Sequence, residues 1–291
     1  MTQPDRGRGR GRKRTPSPVA NAALDAGLPV LRPERVVDDL EPLRALASDI
    51  GVVVAYGQFL TRRVRALPRL GYLINAHASL LPRYRGATPI AHAILEGETR
   101  TGISVMRVER EMDAGPVALV RELAIGPDET CGELTERLGL LAADAIDEAL
   151  ERIAADRVLW TPQDDAHATL APKLSRDDAV LDWSQPSEAL VRRIRALAPR
   201  PGAATTLEGE TLRILAARST GAIGSSEASV DEPGTGRVDD GTLRIATGSG
   251  WLVPLRVQRS GGRAMEIDAF LRGHAIADGV RLGDTLDSSS H

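Results

Sequence analysis

An α/β fold followed by a small β-barrel is what this sequence of 291 residues predicts. In the first half, strand-like apolar runs alternate with segments of helical apolar spacing, the pattern of a parallel sheet covered by helices. From Gly202 onward the pattern changes to short strands broken by glycine, as in small barrels. Between the two, Pro162 to Asp182 is polar and irregular and reads as a linker. The expected division is an α/β domain over 1–160 with a basic loop at 3–18, a linker over 161–183, and a barrel over 184–291.

Asn21 to Ala26 reads as a short helix ended by Gly27, and Leu28-Pro29-Val30-Leu31 as a short strand. Asp38 to Ile50 has helical spacing. Gly51 to Tyr56 is a continuous apolar run, the mark of a strand buried on both faces. Thr88 to Glu96 is a helix with Pro89 in its first turn and Gly97 past its end. Strands are expected near 101–108 and 116–124. Thr130-Cys131-Gly132-Glu133 is a capping box. It opens a helix to about Ala155, with Leu134, Leu138, Leu141, Ala145 and Ile146 on one face. Ser187 to Leu197 is a helix. Leu212 to Leu215, Leu243 to Ala246 and Trp251 to Leu255 are strands. Gly221 to Gly236 is expected to be a mobile loop, and the tail from Asp284 disordered.

Hydrophobic residues make up 42% of the chain, enough for a substantial core, but aromatics are only 3%, so packing falls to Leu, Val, Ile and Ala. No apolar run of eighteen residues occurs, so no membrane span is expected, and the polar N-terminus is not a secretory signal. The single Cys131 excludes an internal disulfide and suits a cytoplasmic location. At the start of a helix, the dipole is expected to lower its thiol pKa. No HxxxH or CxxC spacing predicts a metal, and no glycine-rich nucleotide loop is present. The net charge of −3 hides a polarity: residues 1–14 carry six basic residues against one acid, and the rest of the chain is acidic. That basic segment fits either an RNA phosphate contact or a disordered tail.

Asn75-Ala76-His77 follows the apolar pair Leu73-Ile74. On a strand, residues two apart share a face. One pocket can then receive a non-titrating amide donor and an imidazole that moves protons near neutrality, a pair suited to holding an oxyanion. Taken bare, the same pattern is an exposed strand end leading into the turn Ser79-Leu80-Leu81-Pro82-Arg83-Tyr84-Arg85-Gly86. Asp113 stands after the strand at 101–108, ahead of Gly115 and Pro116. It either orients His77 or forms an Asx turn. Arg83 and Arg85 either orient the loop, touch phosphate, or face solvent.

The run Asn75 to Ile90 resembles the signature of the 10-formyltetrahydrofolate-dependent formyltransferases: Asn-x-His-x-Ser-Leu-Leu-Pro, then Arg-Gly, then a distal Asp-x-Gly. Gln3-Pro4-Asp5-Arg6, the Arg-Gly run from Gly7 to Arg14, Pro16-Ser17-Pro18, Val52 to Gly57 and Leu181-Asp182-Trp183 extend the likeness over nearly the whole chain. They are similar to members that act on initiator methionyl-tRNA. The resemblance implies a Rossmann-like parallel-sheet formyltransferase domain and an OB-like barrel. It implies Asn75, His77 and Asp113 as catalytic residues. Ser79, Leu80, Leu81, Pro82, Val54, Ala55, Tyr56, Gly57 and Met112 would bind folate, and Arg6, Arg8, Arg10, Arg12, Lys13 and Arg14 would bind tRNA. The folate is 10-formyltetrahydrofolate, a consumed cosubstrate, with no tightly bound cofactor, no metal and no membrane partner. The chain is expected to act as a monomer. One departure is expected to matter: the family places a strand, a helix and a second strand ahead of Gln-Pro-Asp-Arg, so here the sheet is expected to be N-terminally truncated, with exposed strand edges.

Overall fold

The computed structural model describes residues 1–8, 13–220, 231–239 and 241–283. Two compact units emerge, each drawn from several segments: Met1–Ala87, Gly102–Glu122 and Leu141–Leu170 form the first, and Thr88–Thr101, Leu123–Leu140 and Ala171–His291 the second.

The described parts of the basic segment begin the first unit as two paired strands. Strand β1 (Arg6–Arg8) pairs antiparallel with β2 (Lys13–Thr15), Gly7 opposite Arg14. Arg10 and Arg12 lie outside the described residues. Helix α1 (Pro18–Asp25) is capped by the Ser17 hydroxyl and closed by Gly27, whose φ of +70° lets the Leu28 N–H reach back to Ala23. Leu28 is thus spent on the cap and Pro29 has no N–H to give, so the strand expected at Leu28–Leu31 does not form. The Leu31 carbonyl accepts one bond, from the Thr2 N–H.

The helix expected over 38–50 is split for a similar reason. Pro42 cannot donate to the carbonyl four residues back. A 3-10 turn (Val36–Asp39) therefore precedes the short α2 (Leu40–Ala45), and Ala47, at φ +45°, ends it. Val36, Leu40, Val64 and Leu73 form a small core here.

Strand β3 (Gly51–Val53) is shorter than expected because Ala55 and Gly57 take positive φ and turn the chain away. It is not buried: Val52 is 43% exposed, and Val54, just past the strand, is 52% exposed. After α3 (Arg62–Arg65) comes β4 (Leu73–His77), parallel to β3 with Val53 opposite Asn75. The short strand β5 (Arg85–Gly86) and helix α4 (Pro89–Leu95) lead to β6 (Arg100–Arg107), then β7 (Val117–Ala124). The sheet order is β3-β4-β6-β7, so among the described residues β3 is an edge strand paired on one side, which explains the exposure of Val52. Strand β6 runs antiparallel to β4 and sets His77 opposite Ser104 and Asn75 opposite Met106. Helix α5 (Cys131–Ala154) starts at the expected capping box. The Glu133 carboxylate accepts from the Thr130 N–H at 2.9 Å and from the Thr130 hydroxyl at 2.7 Å, two bonds that hold the carboxyl below its usual range, and the Glu133 N–H bonds back to the Thr130 hydroxyl.

The segment expected as a linker carries the two-residue strand β8 (Leu170–Ala171) and contributes buried Leu181 and Trp183 to the second unit's core. That unit packs α6 (Ser187–Leu197) and α7 (Ile267–Gly273) with an antiparallel sheet of β9 (Ala203–Leu207), β10 (Glu210–Thr220), β11 (Thr235–Asp239), β12 (Thr242–Ala246), β13 (Trp251–Arg259), β14 (Ala264–Glu266) and β15 (Val280–Arg281). The order is β15-β11-β12-β13-β10-β9, with β14 on β13. A bridge between Leu207 and Leu282, and the Gly283 N–H on the Thr206 carbonyl, bring its two edges together, so the sheet nearly closes into a barrel. Of the loop expected over 221–236, residues 221–230 lie outside the described residues, and Thr235 already belongs to β11. The tail from Asp284 also lies outside them.

Two glycines test this packing. A Cβ on Gly102 would meet the Arg121 carbonyl of the neighbouring strand and, at 2.7 Å, the Leu80 side chain. Gly139, inside α5, has nothing within 4 Å. Gly102→Ala should cost about 1–3 kcal/mol by overpacking. Gly139→Ala should gain about 0.5–1 kcal/mol. Urea melts of both variants check the opposite signs.

Candidate active site

The carboxyl ends of β3 and β4 lie side by side, where open α/β sheets bind ligands. Strand β4 delivers its last residues there. Period-two alternation puts Asn75 and His77 on one face, against Met106 and Ser104 of β6. His77 is 5% exposed. Its Nε2 lies 2.8 Å from the Tyr84 carbonyl, which accepts only, so Nε2 carries a proton. Its Nδ1 faces the Asp113 carboxylate at 3.5 Å, a contact that attracts only with a proton on Nδ1 as well. Asn75 is half-buried, and its amide has no hydrogen-bond partner among the described residues.

Asp113 reaches His77 from the turn after β6. Its φ is +53°, a conformation that Asp tolerates better than most residues. Its Oδ2 accepts the Gly86 N–H at 2.9 Å, which ties the turn to the loop after β4. The structure brings His77 and Asp113 together, with Asn75 two residues before His77 on the same strand face.

The folate-binding expectations divide. Val54, Ala55, Tyr56 and Gly57 form the turn leaving β3, next to Asn75 through the pairing of Val53. The Tyr56 carbonyl accepts from the Gln3 amide. Leu80, Leu81 and Pro82 are half-buried in the loop after β4, and Met112 is 70% exposed beside Asp113. Ser79 is a correction. Its side chain is fully buried, and its hydroxyl donates to the Arg83 carbonyl at 2.6 Å, closing the turn instead of lining a pocket. Ser104, which the sequence reading missed, holds the same turn from below. Its hydroxyl donates to the Ser79 carbonyl at 2.7 Å and accepts the Leu81 N–H at 3.1 Å. A small hydroxyl residue in the centre of an apolar strand was the available signal.

Arg85 is also placed. Its guanidinium donates to Gln163 and to Asp165, so it orients loops rather than facing solvent. Of the expected tRNA-binding residues, Arg6 and Arg14 are exposed on β1 and β2. His167 is exposed beside Asp164, and His92 bonds Thr88, the residue just ahead of its own helix. Among the described residues no group of three His, Cys, Asp or Glu side chains is placed to hold a metal.

The family profile described as Formyl transferase matches residues 1–150, and that described as Formyl transferase, C-terminal domain, matches residues 173–275. The methionyl-tRNA formyltransferase of Roseiflexus castenholzii is 44% identical over 285 residues, 97% of this chain and 90% of that protein. That of Methylococcus capsulatus is 45% identical over 284 residues, with the same coverages. The chain belongs to the methionyl-tRNA formyltransferase family. Solved structures agree in fold. An N-formyltransferase from Helicobacter canadensis, in complex with folinic acid and dTDP-3-aminofucose, has a TM-score of 0.62 at 13% identity, over 87% of this chain and 86% of that one. HypX from Aquifex aeolicus, in complex with tetrahydrofolic acid, has a TM-score of 0.60 at 18% identity, over 80% of this chain and 40% of that one. The Asn75, His77 and Asp113 of this family member therefore sit in a Rossmann-like formyltransferase domain, followed by a barrel-like domain.

Cys131 stands apart from this chemistry. Burial raises its thiol pKa, outweighing the helix start and the hydrogen bond to Thr135 that would lower it. Little thiolate should exist at pH 8, and iodoacetamide should label the native chain at least tenfold more slowly than the urea-unfolded chain. Equal rates would show that burial does not control this thiol.

Proposed function

We propose that this chain transfers the formyl group of 10-formyltetrahydrofolate to the α-amino group of methionine on initiator tRNA, as a cytoplasmic monomer. The observation that carries this reading is the His77–Asp113 pair beside an uncommitted Asn75 amide, in a chain alike over nearly its full length to proteins named for that reaction. In this reading residues 1–160 carry the transfer chemistry, and the segment 161–183 leads to the barrel over 184–291.

The amine lone pair attacks the formyl carbon, and the carbonyl π pair moves onto oxygen. The Asn75 N–H donates to that oxyanion, and the His77 ring, held between the Tyr84 carbonyl and Asp113, borders it. A donor placed in advance costs no reorganisation as charge develops. Asp113 keeps the imidazole oriented through Nδ1 and accepts the proton that the attacking nitrogen sheds, directly or through water. Collapse re-forms the carbonyl and breaks the bond to N10 of the folate. N10 takes up a proton and leaves as tetrahydrofolate, consumed stoichiometrically, so the reaction needs no resident cofactor. The turn Val54–Gly57, the loop Leu80–Pro82 and Met112 border the place where the folate would lie. The Ser79 hydroxyl, being buried, takes no part.

Asn75→Ala and His77→Ala should each lower kcat for formylation of methionyl initiator tRNA by about a hundredfold or more. Changes within threefold would remove these residues from the mechanism. Transfer to an amino-sugar nucleotide but not to methionyl-tRNA would overturn the choice of substrate.

The paired strands β1 and β2 belong to the basic segment that would grip the tRNA backbone. Changing Arg8, Arg10 and Arg12 together to Gln should raise KM for tRNA and leave KM for the folate unchanged. The salt dependence of tRNA binding should flatten by about 0.7–0.9 in log–log slope for each phosphate that the variant no longer neutralises. An unchanged slope would make the segment a bystander.

A further inference from the structure

Gln163 lies in the segment that the sequence presents as a linker, yet every polar valence of its side chain is spent on the site. Its Nε2 donates to the Asp113 carbonyl at 2.8 Å and to the Gly115 carbonyl at 2.7 Å. Its Oε1 accepts from Arg85 Nε at 3.0 Å and from Arg85 Nη2 at 2.8 Å. Only a primary amide offers two donors and two acceptors at one side-chain end. These bonds close a ring: Gln163 holds Asp113 and Arg85, and the Gly86 N–H, next in chain to Arg85, bonds the Asp113 carboxylate.

The backbone brings Gln163 to this point in two steps. Trp160 stacks on the Arg107 guanidinium, 4.3 Å from its ring centroid, and Tyr72 covers the same group at 4.2 Å. Thr161 then forms a two-bond bridge with Val117, its N–H donating at 2.9 Å and its carbonyl accepting at 2.8 Å. Two residues later the amide stands under the Asp113 turn. That turn needs support. Asp113 has φ +53°, and a Cβ on Gly115 would run into the Arg107 carbonyl, so the chain passes close to the end of β6.

We infer that Gln163 is a positioning residue for formyl transfer: it holds the Asp113 turn against the Arg85–Gly86 strand and so sets where the Asp113 carboxylate meets His77. The inference rests on the proposed roles of Asn75, His77 and Asp113, and acts through Asp113 alone. Gln163 touches no reacting atom.

Two near-isosteric variants of the full chain test it. Gln163→Met removes the two bonds to the Asp113 and Gly115 carbonyls, the two from Arg85 and the long contact to Met106 Sδ at 3.9 Å. Gln163→Glu keeps the acceptors for Arg85 but turns a carboxylate against two carbonyls. Both should lower kcat for formyl transfer by about tenfold to a hundredfold, the scale of a misplacement near 1 Å. KM for folate and for tRNA should stay within twofold. In both variants, amide hydrogen exchange should quicken over residues 84–87 and 109–116. Unchanged kcat and unchanged exchange would overturn the inference. So would a loss of kcat matched by a general fall in the thermal midpoint and equal rises in both KM values, which marks a merely structural residue. Exchange is read without turnover. A parent that transfers no formyl group, while its variants still loosen both segments, would sink the proposed function and leave the turn-holding role supported.

Discussion

The Asp113 carboxylate is the point through which the site is built. It meets His77 Nδ1 at 3.5 Å and takes the Gly86 N–H at 2.9 Å, so one side chain joins the end of β4, the loop after it and the turn after β6. The turn costs about 1–3 kcal/mol in backbone strain, as a residue held outside the common φ regions does. Charge-assisted and backbone-directed hydrogen bonds, each worth about 0.5–3 kcal/mol net, offset this. Strain of this kind persists only where several neighbours determine it. Here they are Gly86, His77 and Gln163.

The strands supply what these neighbours need. Because β6 runs antiparallel to β4, His77 lies directly opposite Ser104. Ser104 in turn fixes the backbone from Ser79 to Leu81, the start of the loop that ends at Tyr84 and Gly86. The Tyr84 carbonyl then holds His77 Nε2 and so turns Nδ1 toward Asp113. Two buried hydroxyls and one carbonyl thus decide which imidazole nitrogen faces the carboxylate. This is fixed by the fold before any ligand arrives, which is the condition for electrostatic stabilisation without reorganisation.

Much of this was legible in the sequence, and the failures have physical causes. Asn75, His77 and Asp113 could be singled out as candidates because residue type and strand periodicity are both visible locally. The capping box at Thr130–Glu133, the helix Ser187–Leu197 and the barrel strands followed from local rules that the structure obeys. Leu28–Leu31 misled because its apolar pattern concealed that Leu28 closes a helix and Pro29 lacks an N–H. Val52 and Val54 read as buried because apolarity records what a residue tolerates, not which neighbours it has. Cys131 was misjudged because the helix start is local and visible, whereas the burial that outweighs it is not. Gln163 and Ser104 escaped because each acts through partners far off in sequence, and a glutamine in a polar stretch carries no signal of its own.

The central claim is that His77 and Asp113 work as one unit. A double-mutant cycle in formyl transfer to methionyl initiator tRNA tests it most directly, using His77→Ala, Asp113→Asn and the pair. If the two act together, either change alone should remove nearly all of the shared contribution, and the double variant should fall within about threefold of the weaker single variant. Losses that multiply, so that the double variant shows the product of the two single effects, would mean that the residues act independently and would contradict the account.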